Sequence, residues 1–122
     1  MDYSSQMEII NAEQMDMLIA SAGVETAKTI LDAFWKSNDE IVAAMTAHLD
    51  SANFVEAAAS GHALKGSAAN LGAVQLSERA KTIENACRAQ DIVSAKAAFG
   101  KVVSDIEATR RAFDSLLMTK AA

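Results

Sequence analysis

Proline is absent from the 122-residue chain, and cysteine, tryptophan and tyrosine occur once each. One cysteine excludes an internal disulfide framework and any cysteine-rich zinc site. Histidine occurs twice, at His48 and His62. The residues three positions before them are Met45 and Ala59, so the Glu-x-x-His pairs of a di-iron bundle are missing. Positive charge is scarce: 11 Lys and Arg stand against 16 Asp and Glu, a net charge of −5. That balance argues against nucleic acid as an unaided partner, because phosphate contacts need clustered Lys and Arg. No apolar run approaches the roughly 18 residues of a membrane span. The start, Met1–Asp2–Tyr3–Ser4, lacks the basic and apolar regions of a signal peptide, so the expected address is cytoplasmic. No Gly/Ser/Pro-rich linker and no repeat interrupts the chain, which reads as one domain over 1–122. The phosphate-binding, dinucleotide, zinc-protease and serine-hydrolase signatures are also missing.

What is abundant is alanine, at 26 residues, in a chain that is 51% hydrophobic and 22% charged. Alanine without proline favours helix and disfavours a β-sandwich or barrel. The apolar spacing is helical throughout. Asn11-Ala-Glu-Gln14 reads as a capping box opening a short helix that Gly23 ends near Ala22. A second helix is predicted from about Val24 to Leu49, with Ala27, Ile30 or Leu31, Phe34 or Trp35, Ile41 or Val42, Met45 and Leu49 along one stripe. A third runs from about Phe54 to Leu71 and closes at Gly72. A fourth runs from about Val74 to Ala89, with Leu76, Ala80, Ile83 and Cys87 inward; Cys87 therefore reads as core. Asp91 caps a fifth, predicted to continue to about Met118 through Ile92, Ala95, Phe99, Val102, Ile106, Phe113 and Leu117. Short connections between long amphipathic helices make neighbours antiparallel. The expected fold is all-α: an up-down four-helix bundle with an additional short N-terminal helix.

The two histidines differ. His48 lies beside an apolar stripe near a helix C-terminus, which favours a cation, and reads as structural. On the third helix, Phe54, Ala57, Gly61, Leu64, Ala68 and Leu71 form the seam, and His62 points about 130° from its centre. Its surface neighbours are expected to be Val55, Ala58, Ala59, Lys65, Gly66, Ala69 and Ala73, nearly all small or apolar. A solvent-facing helix normally carries Glu, Lys and Gln there. Gly66 costs helix stability by about 1 kcal/mol relative to Ala, one turn from the imidazole. Either it leaves room for an approaching partner, or it permits close helix packing and the alanines reflect composition. Lys65 adds a positive charge beside the ring, as a histidine that carries an anion would need.

The segment His62-Ala-Leu-Lys65-Gly66, with Gly72-Ala73 ten residues after the histidine, resembles the signature of HPt domains, the histidine-containing phosphotransfer modules of two-component relays. Leu76, Ile83 and Glu84 fit a further pattern of that family. The resemblance is strongest from about Phe54 to Asp91 and extends to the rest through helix order and length. It implies that His62 accepts a phosphoryl group from a receiver-domain phospho-aspartate and passes it to the aspartate of another receiver. It implies that Lys65 offsets the phosphate charge, that Gly66 keeps the site open, and that Glu84 orients the ring by accepting its N–H. Arg88, four residues after Glu84 on the same face, is a further candidate for charge. The residue before the histidine departs from the pattern: the family usually has Ala and this chain has Gly61, on the core seam, where a small packing effect is expected.

Imidazole, with an ordinary pKa near 6.5, is a good nucleophile when neutral. Attack on an acyl phosphate needs in-line geometry and charge neutralisation. No carboxylate cluster accompanies His62 in the sequence, so no cofactor is expected on this chain, and Mg²⁺ is expected from the partner receiver. The chain thus reads as a phosphocarrier rather than an enzyme, a monomer whose partners are receiver domains and a hybrid sensor histidine kinase. Its docking surface is expected to be Val55, Ala58, Ala59, Ala69 and Ala73, with a charged rim. Met15, Leu18 and Ile19 of the first helix either extend that surface or cover the bundle end. The competing readings are a non-phosphorylated adaptor that binds signalling partners, an accessory piece of a hybrid kinase, and a metal or haem bundle.

Overall fold

The computed structural model describes residues 8–121; the Met1–Ser4 stretch examined for a leader lies outside them. Six helices follow one another: α1 Ala12–Ala22, α2 Val24–Asp50, α3 Phe54–Leu71, α4 Val74–Arg88, α5 Ile92–Phe99 and α6 Val102–Ala121. Helices α2, α3 and α4 run up, down and up. Helices α5 and α6 together make the fourth, descending member of an antiparallel bundle. No helix among the described residues is long and apolar enough to cross a membrane.

Local chemistry places most of the boundaries. Asn11, Asn53 and Asp91 each accept a backbone N–H three residues ahead, from Gln14, Glu56 and Ser94, which satisfies donors the first turn leaves open. Gly72 ends α3 in the left-handed region at φ +78°. Only half of the expected capping box forms at α1. The Gln14 amide does not return to Asn11 but donates to the carbonyls of Ala69 and Asn70 at 3.0 and 2.8 Å. Asn11 N–H donates to the Gly72 carbonyl at 2.7 Å instead. Helix α1 therefore clasps the turn between α3 and α4, with Met15 fully buried and Leu18 and Ile19 packed against the core. It covers the bundle end.

The predicted fifth helix is broken. The Lys101 N–H reaches back three residues to Ala98 rather than four, and Gly100, the weakest helix former present in the chain, sits in the break. The seam also differs from the apolar count. Beyond the break, the fully inward positions are Val102, Asp105, Thr109, Phe113 and Leu117, while Ile106 is only partly buried. Two polar residues take seam positions because their groups are paired. Arg79 of α4 donates to Asp105 at 2.6 Å, and the Thr109 hydroxyl donates to the Asp105 carbonyl at 2.7 Å. That pair pins the descending helix to α4.

The interior is completed by Met45, Leu64, Leu76, Ile83 and Phe113, each contributing on the order of 1.5–3 kcal/mol by leaving water. Trp35 stacks obliquely against Phe34 and Phe113, with centroids at 5.0 and 6.2 Å.

The glycines separate two effects. A Cβ at Gly72 would meet Asn11 O and Gln14 Oε1 at 3.1 Å, in a backbone conformation that disfavours any side chain. Gly100 has ordinary right-handed dihedrals and its nearest neighbour would stand at 3.4 Å. Gly72→Ala is therefore expected to lower stability by about 1–3 kcal/mol. Gly100→Ala is expected to raise it by about 0.5–1 kcal/mol. Thermal unfolding of the two variants checks this, and shifts of the same sign would contradict it.

Candidate functional site

Helices α3 and α4 approach closely at Gly61. A Cβ on Gly61 would lie 3.3 Å from the backbone N of Glu84, 3.4 Å from its Cα and 3.4 Å from the Ala80 carbonyl oxygen. The missing methyl lets the two backbones approach there, beside His62. Ser77 adds a tie one turn on, its hydroxyl donating to the Lys65 carbonyl at 3.1 Å. The small packing effect expected at Gly61 is thus an approach of Glu84 toward the face of α3 that carries His62.

Glu84 is buried, with 5% of its side chain exposed, and its carboxylate is surrounded by donors. Lys65 Nζ donates to Oε1 at 2.7 Å. Arg88 donates to Oε2 through Nη2 at 2.7 Å and Nε at 3.2 Å. His62 Nδ1 lies 3.0 Å from the same Oε2. These bonds, led by Lys65 and then Arg88, hold the carboxyl at about 2 against an ordinary value of 4.5, overriding the upward push of burial. An ionised carboxylate only accepts. Nδ1 of His62 must therefore carry the proton when the ring is neutral, which leaves the lone pair on Nε2. The His62 side chain is 65% exposed, and Nε2 has no partner among the described residues.

The structure brings His62, Lys65, Glu84 and Arg88 into one cluster, with Arg88 bonded to Glu84 rather than to the ring. Gly66 faces open space, since a Cβ there would meet nothing within 4 Å. That overturns close helix packing as the reason for Gly66; Gly61 is the packing glycine. Val55, Ala59 and Ala69 are exposed on α3 as expected. Ala58 and Ala73 are not on the surface: they are 5% and 0% exposed. Ala58 lies on a flank of α3, which is covered on both sides by α2 and α4. Ala73 lies beyond the Gly72 turn as the first residue before α4, where extrapolating the α3 wheel no longer applies. Cys87 is buried, and burial pushes its thiol up.

A feature the wheel missed adjoins this cluster. A hollow of about 470 Å³ opens between the start of α3 and the end of α4, lined by Phe54, Val55, Ala58, Ala59, Cys87, Arg88 and Gln90. Its far wall is built by Arg88, the last residue of α4, and Gln90 of the α4–α5 connection, which no single-helix pattern links to His62. The left-handed φ of +57° at Gln90 marks the turn that places it there. Among the described residues, no three His, Cys, Asp or Glu side chains converge as a metal site.

Comparisons with known proteins cover most of the chain. The family profile described as "Hpt domain" matches residues 29–112. The chain is similar to the phosphorelay protein LuxU of Vibrio harveyi, with 27% identity over 108 residues, covering 88% of this chain and 95% of that protein. In fold it is similar to the histidine-containing phosphotransfer protein HptB of Pseudomonas aeruginosa, with a TM-score of 0.84 at 19% identity, over 93% of this chain and 97% of that one. It is likewise similar to the maize protein ZmHP2, with a TM-score of 0.79 at 22% identity, over 98% of this chain and 94% of that one.

The Glu84 carboxylate generates a stability expectation. Its pKa is depressed on folding, so its contribution is complete above the unfolded value near 4.5 and is lost as the pH falls from there toward 2. The wild type is expected to lose roughly 2–3 kcal/mol over that interval through this group. Glu84→Gln should lose correspondingly less. Urea unfolding of both proteins at pH 6 and pH 2.5 measures the difference, and parallel acid losses would show the carboxylate to be energetically idle.

Proposed function

The chain belongs to the Hpt domain family, and from that premise we propose that His62 is the phosphoacceptor through which it performs histidine phosphotransfer in a two-component phosphorelay. The observation that carries the assignment is the shared carboxylate. Glu84 accepts from His62 Nδ1 and thereby leaves Nε2 as the nucleophilic nitrogen on the exposed side of the ring. His48 sits partly buried in the last turn of α2 and has no such partner among the described residues.

Transfer then proceeds with the protein's groups in fixed roles. The Nε2 lone pair attacks the phosphorus of an aspartyl phosphate on a receiver domain. An N–P bond forms, the P–O bond to the aspartyl carboxylate breaks, and its electron pair leaves with that carboxylate. The Nδ1 proton stays on the ring, and the positive charge that develops there faces the Glu84 carboxylate. Lys65, 2.7 Å from Glu84 and one turn from His62, supplies positive charge near the arriving phosphoryl group. Gly66 leaves the approach clear. Attack on phospho-His62 by the aspartate of another receiver reverses each of these steps.

The chain acts as a carrier, and the remaining catalytic groups, with Mg²⁺, belong to the receiver. The carrier role is supported by membership of the Hpt domain family and by the likeness to a phosphorelay protein. Receiver domains and a hybrid sensor histidine kinase are the partners this reading assigns, with a monomeric single-domain carrier working in the cytoplasm. The docking surface is the exposed set Val55, Ala59 and Ala69 together with the adjoining hollow. The sequence-based surface is corrected here by omission of Ala58 as an exposed anchor and of Ala73 altogether.

Incubation with a labelled phospho-receiver and Mg²⁺ tests the assignment. Wild type is expected to take an acid-labile, alkali-stable label, His62→Gln none, and His48→Gln the wild-type amount. Lys65→Ala is expected to slow labelling by roughly tenfold or more, the scale of one lost charge at a transferring phosphoryl group. Equal label on wild type and His62→Gln would move the acceptor elsewhere. An unlabelled wild type, with donors shown to be competent, would favour the adaptor.

A further inference from the structure

The two oxygens of Glu84 are loaded unequally. Oε1 takes Lys65 alone, whereas Oε2 takes His62 Nδ1 and two N–H groups of Arg88. Two lone pairs cannot serve three donors in good geometry, so Arg88 and His62 compete for one atom. Among the described residues, Arg88 is also the one charged side chain lining the hollow beside His62, whose other walls are apolar except for Gln90. Its side chain is 61% exposed, at the last residue of α4. The guanidinium is therefore bonded to the phosphoacceptor's carboxylate on one side and open to an occupant of the hollow on the other. Val55, 78% exposed, stands at the rim.

We propose that Arg88 is a positioning residue that couples occupation of this hollow to the reactivity of His62. The occupant is an apolar side chain of the receiver flanked by a carboxylate. The apolar walls suit the first, and Arg88, as the sole lining charge, suits the second. When the partner carboxylate takes the guanidinium, Oε2 is left to His62. The Nδ1–H bond shortens, electron density moves toward Nε2, and the nucleophile is activated once a donor is seated. In the free protein Arg88 holds Oε2 and keeps His62 less reactive. This inference rests on His62 as phosphoacceptor.

The experiment compares two donors on wild type, Arg88→Gln and Arg88→Lys. Phosphoramidate is too small to occupy the docking surface, and a phospho-receiver must dock. Arg88→Gln is expected to label roughly two- to fivefold faster with phosphoramidate, as a general gain in imidazole basicity implies. It should be roughly tenfold slower with the phospho-receiver, as for a lost interfacial charge contact. Arg88→Lys, which keeps the charge without the paired grip, should fall between the two with phosphoramidate and stay closer to wild type with the receiver. Ring ¹⁵N signals of wild-type His62 should move toward the Arg88→Gln positions when unphosphorylated receiver is added. Equal slowing of both donors by Arg88→Gln, or no change with either, overturns the coupling, as do ring signals that do not move. A wild type that takes label from neither donor defeats the phosphoacceptor reading instead. Arg88→Gln takes one cation from the buried Glu84 carboxylate, so a modest fall in its unfolding midpoint is expected; a retained helical spectrum and cooperative transition for both variants separate these results from misfolding.

Discussion

Bringing a carboxylate into a helix interface is costly unless every oxygen is paired, and the chemistry of this protein hangs on how that is done at Glu84. The close approach at Gly61 puts the α4 backbone against α3. The side chain of Glu84 is then shielded from water and enclosed by Lys65, Arg88 and His62. Two cations oppose one anion, so the neutral-ring site keeps a net positive charge, which suits the phosphoryl group that the role proposed for His62 would bring there. The same bonds that keep the carboxyl ionised decide which ring nitrogen carries the proton. Packing, electrostatics and tautomer are consequences of one contact between two helices.

Much of this arrangement is visible before any coordinates. Caps are local chemistry, so Asn11, Asp91, Gly23 and Gly72 mark helix ends that the structure reproduces within a residue or so. The exposure of His62 follows from counting 100° steps on one helix. What fails is whatever depends on two elements at once. Ala58 reads as surface until α2 and α4 close over both flanks of α3. Asp105 and Thr109 are invisible to an apolar count because their burial rests on Arg79 and a backbone carbonyl. The hollow is the clearest case, since its walls come from opposite ends of two antiparallel helices.

The polar seam and the buried carboxylate divide the bundle into two working regions. Around Arg79 and Asp105 an ion pair with a mostly buried carboxylate sits between α4 and α6 and holds the descending helix after its break at Gly100. Around Glu84 the pairs reach the surface, where Arg88 and His62 are more than half exposed. Pairs of the first kind are largely shielded from outside groups. Pairs of the second kind can be exchanged for a partner's groups, which is what a carrier that must receive and release the same cargo requires. Helix α1 reinforces the separation by clasping the turn at Gly72, at the end of α3 opposite the hollow.

The two glycines flanking this chemistry are under different steric constraints. At Gly61 a methyl already presses on backbone, so anything larger is screened by whether the chain folds. At Gly66 nothing stands within 4 Å, so a bulky residue there meets no part of the bundle and, on the docking surface proposed above, would obstruct only a partner. Discrimination between partners can be built from such obstruction as readily as from attraction. Position 66 is accordingly a place where duplicated relays in one cell could be insulated from each other, by side-chain size alone and without redesign of the fold.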